Sequence, residues 1–314
     1  MDTNSEHALN SRLYDTERDL RAMQDLLVEG RSRTDDWHYP HVGDLMGSVF
    51  PLSCHVRLQE HICLWHDARG KLLAYAILGE DPAFDCQVLR EHEWSGVEEE
   101  ALAWAETRLA ALREQDAKRW GDPLGAVARP GDARRIAFLE RHGFRRGEHV
   151  EVSLLRSLGE PIAEPVPPAG CRVRAVAGTT DVPDRAAIER DVWLPWPVGK
   201  IADDDYARLM RLPGYHRELD VIACAPDGTI AAYVNNWIDP VNRIGVCGPV
   251  GTRAAYRRQG FARAALLESL RRQRARGMDR VCISTGEANS PALRLYESLG
   301  FAPVSASLDY AKVE

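Results

Sequence analysis

Two stretches in the second half of the chain combine residue types that could bind a phosphate and move a proton. The first, Gly248 to Ala262, reads GPVGTRAAYRRQGFA. Gly260 has no side chain and Ala262 a small one, so a ligand can approach the first turn of the helix predicted to follow. The N–H groups and positive dipole end of such a turn favour a phosphate. The stretch therefore predicts an anion site at a strand-to-helix junction.

The charge around this junction supports that interpretation. Residues 253–276 contain eight arginines and one acid, Glu268, within a chain of net charge −7. The arginines from position 271 onward are ordinary complements of a helix C-terminus, which leaves Arg257, Arg258 and Arg263 as phosphate candidates. Arg-x-x-Gly-x-Ala is a weak pattern in an arginine-rich chain, so its context has to support it.

The second stretch, Asn289 to Phe301, reads NSPALRLYESLGF. It predicts a helix with Ser290 as the N-cap, Pro291 as its first residue and Gly300 as its stop. Tyr296 lies in this helix. Its phenol has a reference pKa of about 10, so it stays protonated at neutral pH and can donate to a thiolate. The alternative is that Tyr296 only packs in the core, together with the apolar residues on the same face of its helix.

The elements around both stretches indicate an α/β fold with a mixed sheet. The hydrophobic pattern predicts strands over 220–225, 229–237, 243–252 and 280–285, and helices over 259–276 and 291–299. The first two strands form a hairpin around Gly228. Strands followed by helices, with a hairpin among them, are typical of a mixed sheet.

The chain also contains an internal repeat. Gly70 to Tyr75 and Gly228 to Tyr233 are each a turn glycine followed by an apolar strand, 158 positions apart. Phe138 to Phe144 and Leu295 to Phe301 each end a helix at Gly-Phe, 157 positions apart. The matching offsets predict two copies of one domain. Four prolines in residues 157–170 predict an extended linker between the copies.

Together, Pro-Val-Gly-Thr, Arg-Arg-Gln-Gly-Phe-Ala and Asn289 to Phe301 resemble the acetyl-CoA-dependent N-acetyltransferases of the GNAT superfamily. The resemblance is specific over Leu219 to Phe301, looser over residues 171–218 and degenerate in the first copy. It implies two tandem GNAT-like domains, as in acetyltransferases of the mycothiol-synthase type. The expected division is a flexible tail (1–12), a degenerate N-terminal domain (13–156), the linker (157–170) and a catalytic domain (171–314).

The resemblance also implies roles for individual residues. In this family, the strand matching Val246 to Thr252 splays from the strand matching 280–285, and the pantetheine arm of acetyl-CoA lies in the gap. Tyr296 matches the family's tyrosine acid, and the N–H of Val250 would stabilise the oxyanion. The implied cofactor-binding residues are Val250, Gly251, Thr252, Arg257, Arg258, Gln259, Gly260, Phe261, Ala262 and Asn289.

The general base stays unassigned. Many family members have a Glu just before Pro-Val-Gly-Thr, and here that position is Gly248. Asp239, Glu287 and His216 are near in sequence, but each is more typical of a turn or a surface, and a water relay would serve equally well.

The acceptor side is predicted from aromatic residues. Trp193, Trp196 and Tyr206 lie in the segment that, by the resemblance, covers the acceptor cleft, beside the acidic run Asp203 to Asp205. Aromatic walls with carboxylates suit a cationic amine. Core packing with an acidic helix N-terminus is an equally supported alternative.

The first copy is expected to lack a cofactor site. At the 157 offset, Gly260 falls on Ala103 and Tyr296 on Leu139, and the helix there opens with three carboxylates, residues 98–100. These would complement the helix dipole and repel a pyrophosphate. Nine of the ten histidines lie in this half without zinc-ligand spacing, so we expect no metal. The copy would then be structural, closing one side of the acceptor cleft.

Composition limits the partners. With 314 residues, 45% hydrophobic and 28% charged, the chain fits two globular domains. No apolar stretch approaches membrane-spanning length, no signal-peptide pattern opens the chain, and an acidic pI argues against nucleic acid and anionic membranes. Seven cysteines without CxxC predict reduced core thiols in a cytoplasmic protein.

We therefore expect an acetyl-CoA-dependent N-acetyltransferase, monomeric or homodimeric and without a metal. The primary amine of a small molecule, such as an amino sugar or an antibiotic, would attack the thioester directly. A protein amine or a cysteinyl thiol conjugate is a close variant. A non-catalytic acyl-CoA-binding or regulatory module is the alternative from another class, favoured by Gly248 and the degenerate first copy.

Overall fold

The computed structural model describes residues 10–34, 37–194 and 199–313. These residues form, in chain order, β1 (Asn10–Leu13), α1 (Glu17–Ser32), α2 (Val42–His55), β2 (Ile62–His66), β3 (Leu72–Leu78), β4 (Ala83–Val88), α3 (Val97–Gln115), α4 (Ala117–Trp120), β5 (Gly125–Ala128), α5 (Ala133–Arg141), β6 (Phe144–Ser157), β7 (Arg172–Ala175), α6 (Val182–Trp193), α7 (Asp203–Leu209), β8 (Val221–Cys224), β9 (Ile230–Asp239), β10 (Ile244–Thr252), α8 (Phe261–Ala275), β11 (Arg280–Gly286), α9 (Ser290–Glu297) and β12 (Ala302–Lys312).

The chain divides into two compact units that exchange segments. The first unit contains residues 1–40, 55–151 and 306–314, and the second contains 41–54 and 152–305. Most of α2 therefore belongs to the second unit, and the end of β12 to the first. These exchanges were not visible in the sequence, because distant segments that share a core carry no common local pattern.

The first unit is built on a mixed sheet. Its strands run β1–β2–β3–β4–β5, with the last residues of β12 beside β5. All of these pairs are antiparallel except β4 with β5, which is parallel. Helix α3 contributes Val97, Ala101, Ala105 and Leu109 to the core beneath this sheet.

The second unit repeats this plan. Its strands run β7–β8–β9–β10–β11, antiparallel except for the parallel pair of β10 with β11, and residues 152–157 of β6 follow β11. The predicted hairpin, strands and helices of this half are all present. Leu266, Leu267 and Leu270 of α8 are buried against the sheet, as their helical spacing predicts.

The expected domain boundaries need correction. Residues 10–12, expected in a flexible tail, are part of β1, which pairs with β2. The proline-rich segment 157–170 contains no helix or strand beyond Ser157, but Leu158 and Ile162 are buried in the core of the second unit. The segment is therefore packed onto that unit, because its apolar residues have core positions to fill.

Two further observations complete the fold. None of the seven cysteines, all within the described residues, forms a disulfide, and five of them are buried. Within the described ranges, no helix is both long and apolar enough to cross a membrane.

Candidate active site

The parallel strands β10 and β11 separate toward their C-terminal ends. Their pairing joins Ile244–Val246 to Arg280–Cys282 and ends there. On the other side of β10, the N–H of Arg253 donates to the carbonyl of Ala231 at 3.0 Å. Because antiparallel strands alternate the direction of their backbone groups, Val250 and Thr252 point theirs away from β9 and toward the opening. The carbonyl of Thr252 accepts from Nε of the exposed Arg257 at 3.3 Å. The opening therefore presents strand backbone that a ligand can bond, in the case of the Thr252 carbonyl by replacing Arg257.

Helix α8 begins beside the end of β10 with an exposed first turn. Gly260 is its N-cap, with φ of 94°, and Arg258 also has a positive φ of 64°. Such a turn directs successive N–H groups to one concave side, where an anion binds. Arg257, Arg258, Gln259 and Gly260 are all exposed, and nothing lies within 4 Å of a Cβ built on Gly260. The junction thus has the open, cationic form that a pyrophosphate requires.

Four further arginines in α8 and at its C-terminal end have structural partners. Arg271 pairs with Glu164 at 2.6 Å, Arg272 with Glu268 at 2.7 Å, and Arg276 with Glu218. Arg263 donates to the hydroxyl of Ser298 at 2.9 Å. Of the phosphate candidates, Arg257 and Arg258 are therefore the two whose guanidinium groups are exposed at the turn itself.

Tyr296 lies on α9, facing the second unit's core. It is 6% exposed and belongs to the same apolar cluster as Val250 and Phe261. Burial raises the pKa of this phenol, and neighbouring Cys247 adds to the effect. The hydroxyl is therefore held in its protonated form, which is the form a proton donor needs.

Asn289, not Ser290, caps α9. Its side chain accepts from the N–H of Ala292, and its amide nitrogen donates to the hydroxyl of Thr285 at 3.1 Å. Ser290 is already the first helical residue, because the asparagine oxygen reaches the orphan N–H three residues ahead. Asn289 is thus fixed beside the end of β11.

Of the three candidate bases, Asp239 and His216 occupy structural positions, whereas Glu287 is exposed directly after the end of β11. Asp239 is buried and accepts from the N–H groups of Val241 and Asn242, which makes it a residue of the β9–β10 turn. His216 lies near Arg276 at the C-terminal end of α8, whereas the anion site is at the N-terminal end. Gly248 lies within a register irregularity of β10 and provides no side chain. The structure therefore gives neither Asp239 nor His216 a position at the opening.

Two of the three predicted acceptor residues, Trp193 and Tyr206, lie within the described part of the chain. Tyr206 is 1% exposed, with its hydroxyl donating to Asp220, so it is a core residue and not an exposed wall. Asp205 caps α7 through the N–H of Ala202. Trp193 is half-buried at the end of α6. Trp196 lies outside the described residues.

Sequence reasoning missed a buried polar network behind β9. Arg185 donates to Glu189 and, at 3.2 Å, to Asp220, and all three are less than 5% exposed. Asp220 also accepts from Tyr206 and Tyr215. Burial raises the pKa of Glu189, while Arg185 lowers it in part. Arg185 and Glu189 at i and i+4 were the one available sequence signal.

The first unit has an equivalent pair of strands and an equivalent helix start. Gly96, with φ of 107°, begins α3 as Gly260 begins α8, so the offset here is 164 and Ala103 is not the counterpart of Gly260. The difference arises because β9 and β10 have ten and nine residues, whereas β3 and β4 have seven and six. On this offset Cys86 corresponds to Val250, and Val88 to Thr252.

Side chains of the first unit occupy this opening. Arg135 of α5 donates to the carbonyls of Cys86 and Val127, on the two separating strands, at 3.3 and 2.7 Å. The hydroxyl of Tyr39 donates to the carbonyl of Val88 at 2.9 Å. At the start of α3, the Glu98 carboxylate accepts from the N–H of Trp94 at 2.8 Å. The corresponding residue to Arg135 in the second unit is Ala292.

Comparisons relate this chain to known acetyltransferases. Residues 185–301 match the acetyltransferase (GNAT) family. The chain is 41% identical over 69 residues to a Mycothiol acetyltransferase of Thermobispora bispora, covering 22% of this chain and 23% of that protein. It is 29% identical to one of Kineococcus radiotolerans, covering 77% and 78%. The match thus spans under a quarter of the first relative and over three quarters of the second.

The fold of the whole chain is also shared. A tandem GNAT protein from the clavulanic acid biosynthesis pathway superposes with a TM-score of 0.64, at 16% identity, over 96% of this chain and 98% of that one. The fold of this chain is therefore similar to that of a tandem GNAT structure. The similarity to the acetyltransferase (GNAT) family covers residues 185–301.

Proposed function

We propose that the chain transfers an acetyl group from acetyl-CoA to the primary amine of a small molecule. The observation that carries this proposal is the pair of separating strands with an exposed helix N-terminus at its mouth. An extended thioester arm and a pyrophosphate need these two features side by side. The first unit has the same elements with the opening filled, so the second unit would hold the site.

Acetyl-CoA supplies the activated acyl group when bound. Val250 and Thr252 would bond its pantetheine arm through backbone groups, with Gly251 between them and Asn289 on the opposite side. Backbone N–H groups around Gly260, Phe261 and Ala262 would hold the pyrophosphate, with Arg257, Arg258 and Gln259 at its exposed side.

The remaining steps concern charge and protons. The Val250 N–H would stabilise charge on the thioester carbonyl oxygen as the amine attacks. Tyr296 would hold the proton that the departing sulfur takes up. The amine must lose a proton to water or to a group not yet assigned, since neither Asp239 nor His216 is placed for it.

The acceptor class follows from the relatives. Two of them are called Mycothiol acetyltransferase, so the amine of a mycothiol-related thiol conjugate is the first acceptor to test. Amino sugars and antibiotics extend the same panel. Incubation with acetyl-CoA should release free CoA faster with an acceptor than without, and mass spectrometry should find the N-acetyl product.

A non-catalytic acyl-CoA-binding module is the second candidate, favoured by Gly248 at the position where a base is expected. It predicts tight acetyl-CoA binding, with CoA release no faster in the presence of any amine than by hydrolysis. A turnover assay beside a binding isotherm therefore separates the two functions.

A further inference from the structure

Tyr233 lies directly beneath the residue that follows the proposed oxyanion donor. It is fully buried on β9 and pairs with Gly251 on β10. A Cβ at Gly251 would lie 2.3 Å from the Cε1 atom of the Tyr233 ring. The ring therefore packs against the backbone of β10 itself and determines how close that strand approaches.

The position of this ring is set from its other sides as well. The guanidinium carbon of Arg185 lies 3.6 Å from the ring centroid. The Tyr233 hydroxyl accepts from Nε1 of Trp193 at 2.5 Å and is hydrogen-bonded to Glu189. A ring in contact with Arg185 on one face, with β10 at Gly251 and with Trp193 at its hydroxyl has little freedom to tilt.

Arg185 is in turn held by Glu189 and Asp220, in a network whose three side chains are at most 5% exposed. Removing one member of such a buried network leaves an uncompensated charge, so the arrangement is costly to distort. The network contains two carboxylates and one guanidinium group. The network thus forms a stiff support behind the ring.

We propose that Tyr233 is a positioning residue of the acyl-transfer site. Supported by Arg185 and Glu189, its ring holds the Val250–Gly251 backbone where the Val250 N–H can stabilise charge on the thioester oxygen. The inference rests on the proposed function, because it needs that N–H to act in the reaction. On this proposal, the buried network affects the rate of acyl transfer and not the affinity for acetyl-CoA.

Tyr233→Phe is the first test, since it keeps the ring against Gly251 and removes the hydroxyl that orients it. We expect kcat to fall by about tenfold, because small misplacements of a reacting group are costly. The Kd for acetyl-CoA, measured by calorimetry, should change less than about twofold, since the pyrophosphate contacts lie at α8. Tyr75→Phe is the matched control, because Tyr75 holds the same place in β3 of the first unit, and it should leave kcat unchanged.

Trp193→Phe is the second variant and remains informative if Tyr233→Phe folds poorly. It removes the other hydrogen bond to the Tyr233 hydroxyl from a half-buried position. We expect a fall in kcat that is not additive with Tyr233→Phe, because both changes remove one interaction. If Trp193→Phe instead raises the KM for the acceptor and leaves kcat unchanged, Trp193 contacts the acceptor. That result would contradict its role in positioning Tyr233.

The outcomes separate this inference from the function beneath it. A wild-type protein that binds acetyl-CoA but acetylates no amine contradicts the proposed function. A wild-type protein that turns over, with Tyr233→Phe equally fast, contradicts the positioning role alone. Equal losses in kcat, cofactor affinity and folded fraction would show that Tyr233 is merely structural, and would also overturn the inference.

Discussion

The two units of this chain present the same strand opening and helix start, but only one leaves them accessible. In the second unit, backbone groups of Val250 and Thr252 face the opening, the Thr252 carbonyl accepts only from the exposed Arg257 among the hydrogen bonds described, and Gly260 begins an exposed helix turn. In the first unit, Arg135 and Tyr39 bond the corresponding strand carbonyls. A binding site can therefore be lost while its scaffold persists, once side chains of the same unit satisfy the backbone groups.

The helix starts show the same contrast. Glu98 bonds the backbone just ahead of α3 and places a carboxylate where the second unit has Ala262 and exposed arginines. A carboxylate at a helix N-terminus provides the charge that a phosphate would otherwise bring. The difference between the units thus lies in a few side chains and not in the arrangement of the elements.

The largest expected effect comes from adding a negative charge at the start of α8. Gly260→Asp should weaken acetyl-CoA binding by at least about 100-fold, because it adds bulk and charge where the pyrophosphate meets the helix. Gly96→Asp makes the same change at the equivalent left-handed glycine and should leave affinity intact. Isothermal titration calorimetry on both folded variants measures this. Intact affinity in Gly260→Asp would mean that the pyrophosphate lies elsewhere.

Tyr296→Phe should lower kcat by about 100-fold, the size expected for losing a general acid. The Kd for acetyl-CoA should stay within about twofold of wild type, because the change leaves α8 untouched. Tyr310→Phe, at a buried tyrosine of the first unit, controls for loss of a phenol hydroxyl. A wild-type rate in Tyr296→Phe would contradict the acid assignment.

Ala292→Arg should close the second opening in the way that Arg135 closes the first. We expect about tenfold weaker acetyl-CoA binding, since the new guanidinium would compete for strand carbonyls. The reverse change, Arg135→Ala, should cost about 1 kcal/mol of stability and leave acetyl-CoA affinity unchanged. Thermal unfolding and calorimetry report the two quantities. Unchanged affinity in Ala292→Arg would show that the gap is not a pantetheine channel.

The smallest effect concerns Glu98. Burial raises its pKa, so the folded protein holds this proton more tightly than the unfolded chain, and stability falls as pH rises through that pKa. Glu98→Gln keeps an acceptor for Trp94 and removes the charge. Its free energy of unfolding should exceed that of wild type by about 1 kcal/mol at neutral pH, with no difference at about pH 4. Chemical denaturation of both proteins at both pH values measures this difference in the free energy of unfolding, and a less stable Glu98→Gln at neutral pH would contradict the prediction.

Much of the second unit could be predicted from its sequence. Its hairpin, the glycine that begins α8 and the glycine stop at Gly300 depend on local chemistry, which a single stretch displays. Asn289 displaced Ser290 as the cap because both residue types suit that position, and only the helix register decides between them.

The features that escaped prediction depend on contacts between distant residues. Arg135 and Tyr39 close the first opening from separate segments, and Tyr206 is buried by a network spanning α6 to β8. The exchange of 41–54 into the second unit is of the same kind. The 157 offset also misplaced the counterpart of Gly260, because extra residues lengthen β9 and β10 between two otherwise matching landmarks.

The stoichiometry of acetyl-CoA binding tests the contrast between the units in a single number. Equilibrium dialysis of the folded, full-length chain should saturate at one acetyl-CoA per chain, because Arg135, Tyr39 and Glu98 occupy the first unit's opening. That binding should disappear in Gly260→Asp and persist in Gly96→Asp. Saturation near two, or a single site lost in Gly96→Asp and kept in Gly260→Asp, would contradict the assignment of the site to the second unit.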